Sequence, residues 1–236
     1  MAWGGTHSRR KIPVHPTKDP DVKAEIDKLH KVCFIYPITY TTWVSNHVPI
    51  NKKQGTICVY TEFYDLNLAC PKDNFPTLFI DQIIDACAGH EVFSFMDGFF
   101  GYNQIHIWKY DKYKTAFTNP WGTIAYRVML FGLKNAGATF QWAMMYYFHD
   151  LIHIILVYLN DLTARPRKRS QHLDELRQDF LRCHKYNVCL NPLKCVFCVP
   201  AERLLGFIVS HKGILIGPLK VQAILNLPSP HTLSQL

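Results

Sequence analysis

Two short stretches hold the side chains best suited to chemistry. Val157-Tyr158-Leu159-Asn160-Asp161-Leu162 is an apolar run that ends in a polar, acid-bearing turn. Upstream, Phe93-Ser94-Phe95-Met96-Asp97-Gly98 likewise delivers one carboxylate to a glycine-bearing turn. Two strands that present aspartates from their ends at one point make a site for two metal ions and phosphoryl transfer. Magnesium suits such a site, because it takes oxygen ligands, few of them from protein, and leaves the rest to substrate phosphates. Taken singly, an acid after an apolar run more often just ends a strand in solvent. The weight lies in the pair and in what surrounds it.

A second metal chemistry competes. Cys189, Cys195 and Cys198, with Cys183 and His184 upstream, invite a zinc reading, but the spacing lacks a second Cys-x-x-Cys pair. His149 and His153 stand four apart and would share a helical face; they are read as structural. Eight cysteines in a chain without a signal-peptide-like apolar start are expected as free thiols rather than a disulfide framework.

The blocks around the aspartates carry a resemblance. Phe95-Met96-Asp97-Gly98-Phe99-Phe100-Gly101-Tyr102-Asn103-Gln104-Ile105, Lys114-Thr115-Ala116-Phe117-Thr118, Pro120-Trp121-Gly122-Thr123 and Phe131-Gly132-Leu133-Lys134-Asn135-Ala136-Gly137-Ala138-Thr139-Phe140-Gln141 follow one another in order. Together they resemble the reverse transcriptase domain of gypsy-class, plant-type long-terminal-repeat retrotransposons, over roughly residues 12 to 236. Tyr158 to Asp161 stands at that family's Tyr-x-Asp-Asp box.

The resemblance implies an RNA-directed DNA polymerase that uses two Mg²⁺ (or Mn²⁺) ions, held by Asp97 and Asp161, to join a dNTP to a primer on an RNA or DNA template. Tyr102 takes the place of the aromatic gate against a ribose 2′-hydroxyl. Gln141 matches a glutamine near the template-contacting end of its helix. Lys52 and Lys53 stand at a fingers turn that would meet nucleotide phosphates. Phe131, Gly132 and Tyr158 fall among the expected nucleotide and primer-template positions. Leu205 and Gly206 fall in the hairpin that grips the primer end.

The sequence departs from the family pattern at telling places. Cys58 and Tyr64 stand where arginines are usual, Glu62 where an aspartate is usual, and Leu130 where a proline is usual. Arginine offers phosphate a fixed fork of donors that cysteine and tyrosine lack. Asn160 replaces the first aspartate of the box. Asparagine can offer an oxygen but no charge, and a unit charge 4 Å from a divalent ion is worth roughly 8 kcal/mol at an effective dielectric of 20. Hydration offsets much of this, and a residual deficit of about 4 kcal/mol would slow the step roughly 1,000-fold. The expected function is therefore a reverse transcriptase domain of a retrotransposon polyprotein, impaired at Asn160. The alternative is a degenerate, non-catalytic nucleic-acid-binding remnant of the same element.

Stepping outward to the elements, Asp19-Pro20 is expected to open a helix whose buried stripe is Val22, Ile26, Leu29 and Cys33. Val48 to Gly55 and Ile57 to Glu62 read as a hairpin. Thr77 would cap a helix through Ile80, Ile83, Ile84 and Ala88 that Gly89 ends. Phe93 to Asp97 and Ile152 to Tyr158 read as the strands that carry the acids, and the segment after Asp97, with Tyr102, as entering a helix. Lys114 to Thr118 and Thr123 to Val128 read as strands. Asn135 or Thr139 would begin a helix with Phe140, Met144, Tyr147 and Phe148 inward. A further helix from Ser170 would bury Leu173, Leu176, Phe180 and Cys183. Leu204 to Ser210 reads as a hairpin, and Pro218 onward as a short helix.

These pieces assemble as an α/β (α+β) right-hand palm, an antiparallel sheet backed by helices, with a fingers subdomain and no thumb. The expected divisions are a leader over 1–19, fingers over 20–72 and 105–135, palm over 73–104 and 136–215, and the start of a thumb connection over 216–236. A missing thumb or RNase H segment, or a partner, is expected to complete it. The 236 residues suffice for a real core, and 48% hydrophobic against 19% charged residues reads as globular. The formal charge of +8 fits a polyanionic partner. The longest apolar run near the acids, Leu151 to Leu159, is too short for a bilayer. An intracellular setting, a cytoplasmic particle or the nucleus, is expected, with no membrane.

Overall fold

The computed structural model describes residues 7–8, 19–51, 57–76 and 79–227. Lys52, Lys53 and Thr77 lie outside these, as does most of the leader. The chain divides into two compact units, Met1–Phe75 with Phe100–Phe140, and Pro76–Phe99 with Gln141–Leu236. Residues before 76 carry β1 (His7–Ser8), α1 (Asp19–Lys31), β2 (Ile35–Pro37), β3 (Trp43–Val44), β4 (Asn46–Asn51), β5 (Ile57–Glu62) and α2 (Tyr64–Ala69). Then come α3 (Ile80–Asp85) and β6 (Phe93–Asp97). Phe100–Phe140 adds 3₁₀ turns at Gly101–Gln104 and Lys112–Thr115, β7 (Phe117–Asn119), β8 (Gly122–Tyr126) and the start of α4 (Ala136–Tyr147). The remainder is β9 (Ile155–Tyr158), β10 (Asp161–Ala164), α5 (His172–Lys185), β11 (Val196–Val199), β12 (Ala201–Leu204), β13 (Phe207–Ser210), β14 (Gly213–Ile216) and α6 (Pro218–Leu225).

In the first unit, β8 lies between β2 and β7 in an antiparallel sheet, with Ile35 opposite Tyr126 and Phe117 opposite Ile124. Val22 and Ile26 of α1 close over it, joining Ile35, Phe63, Phe117 and Tyr126 in one core. The expected stripe ends earlier than the spacing suggests. Cys33 sits past the helix in a left-handed turn (φ 59°) and is exposed, because the chain has already reversed toward β2. The expected hairpin forms, with β4 and β5 paired from Asn46–Glu62 to Asn51–Ile57. His7–Ser8, inside the expected leader, pairs in parallel with Trp43–Val44. Two expectations shift here. The strand expected over Lys114 to Thr118 starts only at Phe117, after a 3₁₀ turn at Lys112–Thr115, and Tyr102 lies in a single 3₁₀ turn after Phe100 (φ 58°) in place of a helix.

The second unit is built on the sheet β11–β6–β10–β9, antiparallel throughout. Side chains alternate across a strand, so Phe93 and Phe95 point to one face of β6 and Ser94 and Met96 to the other. The first face meets Ile83, Ile84 and Cys87, the α3 segment, and Leu204 and Val209 from the β12–β13–β14 sheet. The second is met by α5, where His172 Nε2 and Ser94 Oγ lie 2.7 Å apart.

That contact fixes the rotation of α5 and corrects its expected stripe. His172, Leu176, Asp179 and Cys183 are buried, while Leu173 is 71% exposed and Phe180 exposed. Leu176 and Cys183 of the expected stripe are buried, and His172 and Asp179 take the inward places expected of Leu173 and Phe180. No helix among the described residues is long and apolar enough to cross a membrane.

Candidate active site

The expected carboxylates meet. Asp161 of β10 is the cross-strand partner of Asp97 of β6. Residues directly opposite in an antiparallel pair share a face, with Cβ atoms about 4.5–5.5 Å apart. Two acids held so close on a half-buried face resist simultaneous ionisation. The Asp161 carboxyl is accordingly pushed up, first by burial and then by the Asp97 charge, with Lys194 opposing.

Asp161 owes its position to the β9–β10 hairpin. Tyr158 pairs with Asp161, leaving Leu159-Asn160 as a two-residue loop. Leu159 takes a positive φ of 50° and Asn160 does not, the sign pattern of a type II′ turn that normally calls for glycine at the first position. Gln141 of α4 holds the leucine there. The Leu159 N–H donates to Gln141 Oε1 at 2.7 Å, and Gln141 Nε2 donates to the Val157 carbonyl at 3.0 Å. The Gly98 N–H donates to the Asn160 carbonyl at 2.8 Å, tying the turn to the end of β6.

Gln141, expected near the template-contacting end of its helix, has a structural task here. It is 2% exposed, and both ends of its amide are spent on this hairpin, so it positions the turn.

A neighbour that sequence reasoning left out completes the picture. The Asn191 N–H donates to the Asp97 carbonyl at 2.7 Å and the Phe99 N–H to the Cys189 carbonyl at 2.8 Å. These bonds dock the segment before β11 against the end of β6. They bring Lys194 Nζ to 3.3 Å from Asp97 Oδ2. In the sequence, only its place three residues after Asn191 hinted at this.

Asn160 Oδ1 is buried and has no hydrogen-bond partner. The two facing carboxylates supply hard oxygen donors that fit Mg²⁺ or Mn²⁺. Among the described residues no three His, Cys, Asp or Glu side chains converge on one point, Cys183, Cys189, Cys195 and Cys198 included. Any ion held by Asp97 and Asp161 would need further oxygens from substrate or water.

The other expected residues fall in both units. In the first, Tyr102 packs edge-on against Phe140 (ring centroids 5.3 Å) and near Phe131, whose own ring is mostly exposed. Gly132 has φ 98°, and a Cβ there would lie 2.8 Å from Tyr60 OH, so a side chain is excluded twice over. In the second, Leu205 (φ 50°) and Gly206 (φ 86°) make the two-residue turn between β12 and β13, with the left-handed pair of a type I′ turn. Tyr158 and Leu205 both pack on the cluster around Phe93 and Phe95.

A sequence profile of the reverse transcriptase (RNA-dependent DNA polymerase) family matches residues 50–209, more than half of the chain. The chain belongs to the reverse transcriptase family. Among its relatives, the retrovirus-related Pol polyprotein from transposon 297 of Drosophila melanogaster is 29% identical over 226 residues, covering 94% of this chain and 21% of that protein. The Pol polyprotein from transposon 412 of the same organism is 30% identical over 77% of this chain and 15% of its own length. The Tf2-3 polyprotein of Schizosaccharomyces pombe is 24% identical over 79% and 14%. This reverse transcriptase chain thus spans about a fifth or less of the relatives it matches.

Among solved structures, foamy viral protease-reverse transcriptase in complex with an RNA/DNA hybrid superposes with a TM-score of 0.84 at 19% identity, over 99% of this chain and 31% of that one. Its complex with double-stranded DNA gives 0.84 at 20% identity, over 99% of this chain and 49% of that one. The mixed helix and antiparallel-sheet fold is that of the palm and fingers region of this enzyme.

Proposed function

We propose that this chain is the reverse transcriptase domain of a gypsy-class retrotransposon polyprotein, catalytically impaired at Asn160. The observation that carries the reading is the Asp97–Asp161 pair, set in register beside a strained Tyr158-Leu159-Asn160 turn. The fingers would be residues 20–72 and 105–135 and the palm 73–104 and 136–215. The partners would be a primer on an RNA or DNA template and a dNTP.

Asp97 and Asp161 would hold divalent ions with the help of Asn160 Oδ1. Bound there, Mg²⁺ or Mn²⁺ supplies Lewis-acid activation of a primer 3′-hydroxyl and neutralises charge on the departing pyrophosphate. The chain's own work is placement. Gln141 fixes the hairpin, and the Gly98–Asn160 bond keeps the loop against β6. Lys194 balances the carboxylates. Asn160 keeps an oxygen at the site but leaves it one negative charge short, which motivates the impairment.

Primer extension on a homopolymer RNA template with a DNA primer tests this, comparing the parent, Asn160→Asp and Asp97→Ala in Mg²⁺ and in Mn²⁺. Asn160→Asp is expected to raise extension by up to about 1,000-fold, and Asp97→Ala to leave none. No gain from Asn160→Asp would remove this position as the chief lesion.

The second reading, a non-catalytic binder, draws on the same missing charge and on Cys58 and Tyr64. Salt-sensitive retention on an RNA–DNA hybrid, with no extension even by Asn160→Asp, would select it.

A further inference from the structure

The first unit carries a feature that the carboxylate site does not use. Trp108-Lys109-Tyr110-Asp111-Lys112-Tyr113-Lys114 alternates rings with cations. It folds as a tight turn, the Asp111 N–H donating to the Trp108 carbonyl at 2.8 Å, followed by the 3₁₀ turn Lys112–Thr115. The segment is anchored at both ends. The Ile107 N–H donates to the Arg127 carbonyl at 2.9 Å, and Thr41 Oγ1 to the Tyr113 carbonyl at 2.9 Å.

Its rings nevertheless face solvent. Trp108 is 66% and Tyr110 64% exposed, with centroids 5.9 Å apart. Lys109 Nζ lies 4.8 Å from the Tyr110 ring and Lys114 Nζ 5.9 Å from the Tyr113 ring. Exposed rings of this size, fixed by backbone bonds and interleaved with lysines, are costly to leave against water alone.

Behind the turn is a cavity of about 700 Å³, walled in part by Trp43, Trp108, Tyr113, Lys114 and Lys134. That lies within the usual span of ligand sites, about 300–1,000 Å³. Many of its polar side chains are engaged with one another. Asn67 bonds the Gly132 carbonyl and the Lys134 N–H, Asn135 the Pro71 carbonyl and the Asp73 N–H, and Lys114 bonds Asp111. Lys134 Nζ donates to the Cys70 carbonyl. Ring faces and positive charge are what the site offers, which favours a ligand recognised by stacking and phosphate charge rather than by base-edge hydrogen bonds.

We propose that the Trp108–Lys114 turn and the cavity behind it bind single-stranded nucleic acid, with little sequence preference. One base enters the cavity beside Trp108 and Tyr113, and a neighbour stacks on Tyr110. Lys109 and Lys112 meet the phosphates. A duplex is not accepted, because its base faces are already stacked on one another. The site stands on first-unit residues alone and holds whether or not the carboxylate pair polymerises.

Fluorescence anisotropy with labelled oligo(dT) and oligo(rU), against a blunt DNA duplex, tests it on the whole chain. The single strands are expected to bind with an affinity that falls as salt rises, and the substitutions below should weaken them without changing any binding of the duplex. Trp108→Ala with Tyr110→Ala should weaken them about 10- to 100-fold. Lys109→Ala with Lys112→Ala should flatten the log–log salt slope by about one to two. Trp108, Lys109 and Tyr110 are exposed and Lys112 half-buried, and circular dichroism checks that the fold survives.

Photocrosslinking with a 5-iodouracil oligonucleotide should place the adduct within Trp108 to Tyr113. Unchanged single-strand affinity in the aromatic variant, or an adduct confined to other peptides, would each overturn the assignment.

Discussion

At Leu159 the backbone adopts a conformation that costs a leucine about 1–3 kcal/mol, and Gln141 supplies the bonds that hold it. Gln141→Leu removes both and leaves a buried N–H and carbonyl without partners, at about 1–3 kcal/mol each. A lower urea midpoint is expected, together with loss of extension in the Asn160→Asp background. The same measurements on Gln141→Glu separate the acceptor, which that variant keeps, from the donor, which it loses.

Asp179 presents the opposite case, a carboxyl that is fully buried with neither oxygen partnered. Burial, then the charge of Glu175, push it up to about 7, with Arg182 opposing. The folded state thus holds its proton more tightly than the unfolded chain does. This contribution to stability is full below the unfolded value near 4 and is lost as pH rises toward 7, by a few kcal/mol. Urea unfolding at pH 5 and pH 8 should show the drop, and Asp179→Asn should shrink it.

Neither residue's role was legible beforehand. The motif placed Gln141, but which way its amide points depends on how α4 packs on β9. Asp179 is a charged residue beside the expected stripe, and its burial follows from the rotation of α5.

Elements were read best where period and turn chemistry agreed. The β4–β5 hairpin and β6 stand where the residue pattern placed them, and the β12–β13 hairpin where the family resemblance did. Reading was poorer where tertiary contacts decided. The rotation of α5 follows the His172–Ser94 contact, and the strand expected from Lys114 begins only at Phe117, after a 3₁₀ turn. The loop after β8 shows how tightly one element constrains another. At Gly132, φ 98° and the 2.8 Å approach of Tyr60 OH act together. Gly132→Ala is expected to lower stability by about 1–3 kcal/mol. Tyr60→Phe in the same chain should recover the part due to the hydroxyl and leave the part due to φ. Thermal melts of the two single variants and the double variant would resolve the two contributions.

Across the whole molecule, composition and motif order were enough to give the fold class and the family, because both rest on pattern rather than on single contacts. That Asp97 and Asp161 meet was legible for the same reason, since two apolar runs ending in acids have few ways to share a site, but the strand β10 that sets their register was not. The docking of Lys194 on Asp97 was not, because it depends on hydrogen bonds between segments some ninety residues apart. The formal charge of +8 makes a global prediction. Affinity for an RNA–DNA hybrid should fall linearly on a log–log plot against salt, and Asp97→Ala should leave that slope unchanged. A flat salt response would mean that the positive charge serves solubility alone.

The hairpin around Leu159 also bears on heredity. Its backbone strain, its glutamine support and its tie to Gly98 are all intact, and the missing element is one carboxylate. Asparagine and aspartate codons differ only in their first base, so a single A-to-G transition would return the acid to a turn that needs no repacking. Under the proposed function, the lineage carrying this sequence stands one point mutation from the family's full acidic box.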